Sequence, residues 1–406
     1  MFVGTSFQLI DPSVGCEMEG YTPRTATGRH DHLSTSVFYL RSHQQVLVFV
    51  ALDLIAVPSF RADRIRRRLL AECDIKPATV IIAAIHTHSG PTVTDLLLDA
   101  PKLNENYWQL VTDATVLAVK KAMNSATAVD LQLKTSTIPD GVYANRAVEG
   151  GAYNRQVAQL VATTPDGQLV ASLLLLGTHP TVMNVNNTEI SADLVGAIRS
   201  AYQKRFGVRP VVMLTDCGNT STRYTRQEST FVEVSRLADQ FMTTFSKQQT
   251  QTPVNIAQIQ HETITAYSDY DPLTEPSAIT LWQTINTMMQ TASGDRQTEL
   301  GGFCDTYAHI RWYGHTHFVT HAEIYDLGPI RIVTYPGELV HALGSRIRHT
   351  DEKPTLLITL ANDYRGYSVN KEVFGRFFES YNSVFLKGTA DQFVNDIVAK
   401  AHQVKN

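Results

Sequence analysis

Two histidines separated by a single residue, His86 and His88, directly follow an apolar run at residues 80–85. The run is rich in β-branched residues and short enough for a buried strand, and the Ser-Gly-Pro segment at residues 89–91 must end it. Side chains two positions apart in an extended segment point to the same side, so the pair can serve as a metal ligand and an acid/base, or as two ligands. Taken alone, a His-x-His pair at a strand end is more often an ordinary hydrogen-bonded pair. Partners elsewhere in the chain are what favour a functional site.

Other apolar runs also end in polar residues. These are His179 after residues 173–176, Gly218 after 210–214, Glu338 after 330–335 and the segment 362–367 after 355–360. Because open sheets form their sites where strands end, these residues are expected to converge. Two histidines, a glutamate and a further oxygen ligand suit Zn²⁺ with one position open for water, whose pKa then falls to about 7. Such a site predicts hydrolysis of an unreactive amide.

The same residues have plainer interpretations. A lone buried histidine is ordinarily a satisfied core residue, although His179 ends its apolar run much as His86 does. Glu338, predicted in the first turn of a helix over residues 338–348, can complement the dipole of that helix without binding anything. The arrangement of several such residues at strand ends is what favours the metal site.

A second His-x-His pair, His315 and His317, with His321 four residues later, can be argued as a metal site on spacing alone. Its flanks do not form a comparable apolar strand that ends in a turn, and no acidic ligand follows at helical spacing. These histidines are therefore predicted to line a pocket or to form a surface cluster. A second metal ion there stays an open alternative.

The elements that must position these residues follow from hydrophobic periodicity and turn signals. Strands are predicted over residues 36–40, 46–54, 80–85, 131–137, 157–163, 169–176, 210–214, 254–263, 330–335 and 355–360, and helices over 58–73, 104–123, 194–206, 228–246, 338–348 and 390–402. Residues from about 265 to 315 are predicted as a peripheral helical excursion, either an ordinary helix pair or a lid. The fold class is α/β, with mixed β-sheets packed together and helices on the outer faces, in a single large domain over residues 1–406.

The composition narrows the classes of function. The chain has 406 residues, 43% of them hydrophobic and 18% charged, and a formal charge of −4, so no basic field favours nucleic acid. Four scattered cysteines give no zinc cage and no disulfide framework. No run reaches the length of a membrane span and no signal peptide is evident, so we expect a cytoplasmic protein that acts on a small-molecule or lipid substrate. The oligomeric state is not indicated.

Several segments, in this order, resemble the neutral/alkaline (non-lysosomal) ceramidase family. They are Ile-His-Thr-His-Ser-Gly-Pro at residues 85–91, Thr-His-Pro at 178–180 with Met183-Asn184, Pro-Gly-Glu at 336–338, and Ala-Asn-Asp-Tyr-Arg-Gly-Tyr at 361–367, and the similarity extends to Gly20-Tyr21, residues 30–33 and Asp53-Leu54. Members of that family use a zinc ion to hydrolyse the amide bond between a fatty acid and a sphingoid base. The chain is expected to correspond to the catalytic domain alone, without the immunoglobulin-like C-terminal domain of well-known members.

The resemblance implies a role for each site residue. The implied metal ligands are His86, His179, Glu338 and Tyr367, and the implied catalytic residues are His88 as proton donor or orienter, Arg146 and Tyr381 on the oxyanion side, and Ser221. Ser221 is matched to the family's serine although the acidic residue and the proline of the family's Gly-Asp-Val-Ser-Pro pattern are replaced here. Arg146 has a plainer interpretation as one half of a surface salt bridge.

Three functional hypotheses follow. The first is a zinc-dependent amidohydrolase that cleaves an N-acyl amide bond. The second is an esterase or short-chain acyl hydrolase on the same scaffold, with Ser221 at most a substrate contact. The third is a non-catalytic binding protein that retains the fold, which the altered loop around Ser221 motivates.

Overall fold

A computed structural model describes residues 1–21, 24–94, 105–246, 250–293, 297, 300–301, 304 and 316–404. Its first sheet contains, in spatial order, β7 (Val80–Ala84), β6 (Gln45–Leu52), β5 (Ser34–Ser42), β1 (Phe2–Leu9) and β8 (Thr127–Ala128). Strands β5 and β6 form the predicted hairpin around residues 42–45, and β7 lies parallel to β6. Every residue of β7 is buried, as expected for a strand covered on both faces.

The second sheet repeats this plan. It contains β14 (Val211–Leu214), β12 (Leu169–Leu176), β11 (Gln156–Thr163), β9 (Asp130–Thr137) and β16 (Thr250–Pro253). The predicted hairpin of β11 and β12 is present, and β14 lies parallel to β12. Strands β12 and β14 contact β1 and β5, so the first two sheets pack together around one continuous apolar core.

The third sheet contains β17 (Gln260–Tyr270), β18 (Thr316–Asp326), β19 (Arg331–Thr334) and β21 (Thr355–Ile358), with β19 and β21 parallel. The chain after β21 connects it to the other two sheets. The Thr359 amide donates to Leu214 O, and the Asn362 amide donates to Ile82 O. All three sheets therefore meet at the ends of their parallel strands.

Short strand pairs and helices complete the described fold. The pairs are β2 (Glu17–Met18) with β3 (Arg24–Thr25), β4 (Gly28–Arg29) with β13 (Glu189–Ile190), β10 (Ala144–Asn145) with β15 (Thr220–Ser221), and β20 (Glu338–Leu339) with β22 (Tyr367–Ser368). The helices are α1 (Ser59–Cys73), α2 (Glu105–Asn124), α3 (Asp193–Phe206), α4 (Phe231–Met242), α5 (Pro276–Met289), α6 (His341–Arg348), α7 (Phe378–Tyr381) and α8 (Thr389–Gln403). Among these residues no helix combines the length and apolarity needed to cross a bilayer.

The predicted α/β class, with mixed sheets packed together and helices outside in one domain, is confirmed. Helix α2 packs on β1 and β5, and α8 packs on β17 and β18. The single predicted strand over residues 254–263 is only partly right, because residues 260–263 lie in β17 whereas residues 254–259 connect β16 to β17. Strand β16 pairs with β9 in the second sheet and β17 pairs with β18 in the third, so the alternating pattern spans a crossing between two sheets.

Two further expectations are corrected. Glu338 does not lie in the first turn of a helix, because α6 begins at His341 and Glu338 forms β20 with Leu339. Residues 267–270 continue strand β17, so the predicted excursion begins after them. Its described part contains α5, and most of residues 302–315 lie outside the described part of the chain.

Candidate metal centre

Parallel strands bring the candidate residues together. Neighbouring parallel strands end at the same edge of a sheet. His86 follows β7, His179 follows β12 and Glu338 follows β19, each within four residues of the strand end. The three sheets meet at this edge, and the three side chains are each at most 1% exposed.

Backbone carbonyls fix both imidazoles. His86 adopts a left-handed backbone conformation (φ 63°), and its Nδ1 lies 2.7 Å from Ile55 O. His179 Nδ1 lies 2.8 Å from Cys217 O and 3.1 Å from Thr220 O. A carbonyl oxygen only accepts hydrogen bonds, so in the neutral form of each ring Nδ1 carries the proton and Nε2 presents a lone pair. The two Nε2 atoms are therefore available as ligands.

Those lone pairs point at a carboxylate. Glu338 Oε2 lies 2.7 Å from His179 Nε2 and 3.2 Å from His86 Nε2. Tyr367 Oη lies 3.3 Å from His179 Nε2. In their neutral form, the two imidazoles present acceptor nitrogens to the Glu338 oxygen, and a cation among these three groups would remove the repulsion between them.

The electrostatics favour a neutral His179 and an ionised Glu338. Burial, with help from the positive charge of Arg146, lowers the pKa of His179 to about 3. Burial alone would raise the pKa of Glu338, but His86 and His179 hold it well below its usual range. Deprotonated ligands are what a metal ion requires.

His88 lies against the same centre. Its Nε2 is 3.3 Å from His86 Nε2, and the three histidines His86, His88 and His179 form a group that could hold a metal ion. The predicted extended backbone is wrong, because His86 has a positive φ. The rings of His86 and His88 nevertheless lie next to each other. Burial, followed by the neighbouring His86 and His179, lowers the pKa of His88 well below its usual value. His88 is thus placed either to be a third histidine ligand of a metal ion or to lie beside one as a neutral imidazole.

Gly20, Tyr21 and Arg24 position His88. Gly20 has a φ of 107°, and a Cβ built there would lie 2.6 Å from the His88 ring. The Tyr21 ring lies 4.9 Å from that of His88, and Arg24 Nη2 donates to His88 O at 2.6 Å. The family resemblance covers Gly20 and Tyr21, whereas no local signal in the sequence links Arg24 to His88.

A second layer of hydrogen bonds holds the ligands. Tyr364 Oη donates to Glu338 Oε1 at 2.7 Å, and Arg146 Nη2 donates to Tyr367 Oη at 2.9 Å. Arg146 is buried, and its Nε donates to the buried Glu379 at 3.1 Å. The plainer interpretation of Arg146 as a surface salt bridge is therefore wrong. Tyr364 is buried, and its hydroxyl is a partner of the carboxylate rather than a surface group.

The other two predicted catalytic residues, Ser221 and Tyr381, are near neighbours in sequence of residues that hydrogen-bond to His179 and Arg146. Ser221 is buried in β15, and its neighbour Thr220 supplies a carbonyl oxygen to His179. The hydroxyl of Ser221 accepts from the Arg223 amide at 3.2 Å. Tyr381 is buried in α7, two residues after Glu379, and its hydroxyl donates to Gly375 O at 3.0 Å. Their parts in a reaction stay predictions.

The alternative histidine cluster lies elsewhere. His317 and His321 are exposed on β18, and His315 lies outside the described residues. His321 Nδ1 contacts Thr265 Oγ1 at 3.1 Å, and His317 lies 3.9 Å from Asp269. Among the residues that the structure describes, only the group around His86 gathers three potential ligands of these types.

A buried cluster of histidines and a carboxylate at the ends of parallel strands is typical of hydrolases that act with a metal ion. The sequence narrows this class further: the family profile "neutral/alkaline non-lysosomal ceramidase, N-terminal" matches residues 6–250, and the chain belongs to that family. It is accordingly a hydrolase of amide bonds. His86, His88, Arg146, His179 and Ser221 lie within the matched residues, whereas Glu338, Tyr367 and Tyr381 lie beyond them.

Solved structures share the whole fold. Neutral ceramidase from Pseudomonas aeruginosa matches with a TM-score of 0.75 and 16% identity, over 100% of this chain and 75% of that chain. A ceramidase complexed with C2 matches with a TM-score of 0.73 and 16% identity, over 100% of this chain and 76% of that chain. No curated protein sequence gives a significant match. At this identity the structural likeness establishes the fold.

Proposed function

We propose that the protein is a zinc-dependent amidohydrolase that cleaves the amide bond of an N-acyl lipid in the manner of a ceramidase. One observation carries the zinc assignment: Glu338 Oε2 lies 2.7 Å from His179 Nε2 and 3.2 Å from His86 Nε2. Family membership supports the amide bond as the target.

The donor set fits zinc. Two imidazole nitrogens and a carboxylate oxygen, with an open position, are a common set of ligands for catalytic zinc. We assign His86, His179, Glu338 and Tyr367 as the residues that would hold the ion. When bound, zinc polarises the carbonyl of the substrate and lowers the pKa of a water molecule.

The protein's own groups then act around the reacting carbonyl. Arg146 is held in place by Glu379, by Tyr367 and by Gly218 O, its bond to the last being 2.8 Å. Its Nη1 makes no hydrogen bond to the described residues, so this group can donate to the oxygen that becomes negative. A buried donor that needs no reorganisation favours the transition state over the substrate.

We assign proton transfer to His88. Its lowered pKa keeps the imidazole neutral at neutral pH, so Nε2 or Nδ1 can accept a proton from the attacking water and return it to the leaving nitrogen. Its Nδ1 is buried and makes no hydrogen bond to the described residues. Gly20, Tyr21 and Arg24 fix the ring without using either nitrogen.

We further propose that α5 forms a wall of the substrate site. Leu281 and Ile285 of α5 share an apolar cluster with Tyr381, and Phe378 lies beside Arg146 and Tyr367. An apolar wall beside the reacting centre suits an acyl chain. An ordinary peripheral helix is the alternative.

Hydrolysis of a set of N-acyl substrates tests this function. The amidase account predicts turnover of N-acyl amides that stops on chelation, returns with Zn²⁺, and rises with acyl length by a free energy of about 0.8 kcal/mol per buried methylene. Hydrolysis of esters alone favours the esterase hypothesis. No turnover of any acyl substrate by zinc-loaded protein favours the binding protein.

A further inference from the structure

A cavity of about 350 Å³ opens at the end of the fold opposite the metal centre. Its lining residues are Thr5 to Gln8 of β1, Ser36, Lys121 of α2, and Arg209 to Val211 at the start of β14. Strand β14 runs from this cavity toward the loop around Gly218, and its four residues alone span about 13 Å. The cavity is therefore separate from the site of amide hydrolysis.

The cavity carries two cations and no carboxylate. Arg209 and Lys121 line it, and none of its lining residues is an Asp or Glu. Lys121 Nζ contacts only the Gln8 amide oxygen, at 3.4 Å, among the described groups. A pocket with this lining attracts anions.

Arg209 has unused donors. Its Nη2 donates to Ser34 Oγ at 2.8 Å, its Nε is buried without a hydrogen-bond partner, and no hydrogen bond to the described residues involves its Nη1. The guanidinium lies 4.3 Å above the ring centre of Phe7, which fixes its plane. A planar, immobilised guanidinium with free N–H groups is suited to bidentate binding of an oxyanion.

The acids that act on Arg209, Asp53 and Asp31, already accept hydrogen bonds from other groups. Asp53 accepts from Arg199 Nη1 at 2.7 Å and Nη2 at 2.6 Å, and also from Ser34. Asp31 accepts from Ser191 and from the amide of Ala192. Burial, with the neighbouring charge of Arg199, lowers the pKa of Arg209 to about 10, which an added anion would reverse.

Other donors complete the pocket. Three of the residues that line the cavity carry hydroxyl groups, namely Thr5, Ser6 and Ser36. Beyond Val3 the outer edge of β1 has no pairing strand among the described residues, so the backbone N–H groups on that edge donate to no neighbouring strand. Hydroxyl and amide donors around a fixed guanidinium are typical of phosphate binding.

We propose that this cavity binds a phosphate monoester group, with Arg209 as the principal contact and Lys121 at the rim. The group can belong to a small molecule or to a lipid headgroup. Phe7 and Leu9 beside the cavity are 44% and 48% exposed, which suits contact with a lipid. The volume accommodates a phosphate group with additional atoms.

Two binding measurements on the full chain at constant ionic strength test this proposal, a calorimetric titration and a vesicle co-sedimentation assay. The first arm uses inorganic phosphate and glycerol phosphate, with glycerol as a neutral comparison. The second arm uses co-sedimentation with phosphatidylcholine vesicles that contain phosphatidic acid. Saturable binding in either arm, weakened tenfold or more in Arg209→Gln, is expected, and the arm that responds identifies the source of the phosphate.

Two further variants make the result decisive. Lys121→Gln is expected to weaken binding by a smaller factor and serves if Arg209→Gln does not fold. Arg67→Gln is the matched control, because Arg67 is exposed on α1 and makes no hydrogen bond to the described residues. Absence of saturable binding in both arms, or equal binding by wild type, Lys121→Gln and Arg209→Gln, would overturn the proposal. Amide hydrolysis is expected to be unchanged in the Arg209 and Lys121 variants.

Discussion

His179 Nε2 and Glu338 Oε2 lie 2.7 Å apart, although 159 positions separate the two residues in the chain. The contact exists because β12 and β19 belong to different sheets whose parallel ends meet at one edge. Both groups are hydrogen-bond acceptors in this arrangement, since His179 Nδ1 carries the proton that binds Cys217 O. This relationship leads to the zinc assignment and to several predictions.

The first prediction concerns the space beside His88. Gly20→Ala places a methyl group against the His88 ring, at 2.6 Å before relaxation, so the ring must move. We expect kcat for amide hydrolysis to fall by about 100-fold, the scale of one lost acid/base group. Gly15→Ala is the matched control, because Gly15 also has a positive φ (95°) but no atom lies within 4 Å of the added Cβ. Equal effects of the two variants on kcat would show that backbone strain alone is responsible.

The second prediction concerns the hydrogen bond from Tyr364 to Glu338. Tyr364→Phe removes the donor at 2.7 Å from Glu338 Oε1 and leaves the ring in place. Loss of such a partner of a ligand lowers metal affinity by about 10 to 100-fold. Competition with a zinc-binding dye measures this affinity. Tyr107→Phe, which removes a buried hydroxyl bonded to Ile10 O, should leave the affinity unchanged, and a similar loss there would contradict the account.

The third prediction concerns stability. Asp53 and Arg199 form a fully buried bidentate pair that joins the first sheet to α3. Asp53→Ala leaves the guanidinium buried without its partner, and we expect the free energy of unfolding to fall by about 3 to 5 kcal/mol. Asp113→Ala breaks an exposed pair with Arg68 and should change it by less than about 1 kcal/mol. Urea denaturation measures both values, and equal losses would refute the assigned role of burial.

The fourth prediction is a pH dependence from Glu19. Burial raises the pKa of this carboxyl to about 7, against its ordinary 4.5, and outweighs the donors on Val93 and Thr94. The folded state then holds the proton more tightly than the unfolded state. The stabilisation is complete below pH 4.5 and is lost as the pH rises toward 7.

Glu19→Gln tests that dependence, because the amide resembles the protonated acid. With a chelator present, the free energy of unfolding of wild type relative to Glu19→Gln should fall by up to about 3 kcal/mol between pH 4.5 and 7. The expected slope is about 1.4 kcal/mol per pH unit. Urea denaturation at four pH values measures the change. Exposed Glu17→Gln is the control. A pH-independent difference for Glu19→Gln would show that Glu19 is ionised throughout.

Much of the fold could be predicted from sequence because the signals are local. The hairpins β5–β6 and β11–β12 follow from apolar runs with a short turn between them. Helix α1 begins directly after Pro58, a residue that favours the start of a helix. The candidate ligands His86 and His179 stand out because each follows an apolar strand. Their convergence depends on which strand ends meet, which spacing in the chain does not contain.

The remaining features depend on contacts between distant segments. Glu338 is extended rather than helical because β20 pairs with Tyr367 and Ser368 of β22. Tyr364 and Arg24 take their roles from partners 26 and 64 residues away. Residues 254–263 show a strand-like alternation although they cross between two sheets. Periodicity reports burial, and it does not report which strand supplies the hydrogen bonds.

Zinc stoichiometry tests the central claim most directly. Metal analysis by mass spectrometry, after purification in trace zinc and gel filtration, should give one zinc ion per chain for wild type and at least tenfold less for His86→Gln and Glu338→Gln. His317→Gln, which changes an exposed histidine of the other His-x-His pair, should keep the full content. Wild-type protein without zinc, or folded His86→Gln and Glu338→Gln variants with undiminished zinc, would contradict the metal centre described above.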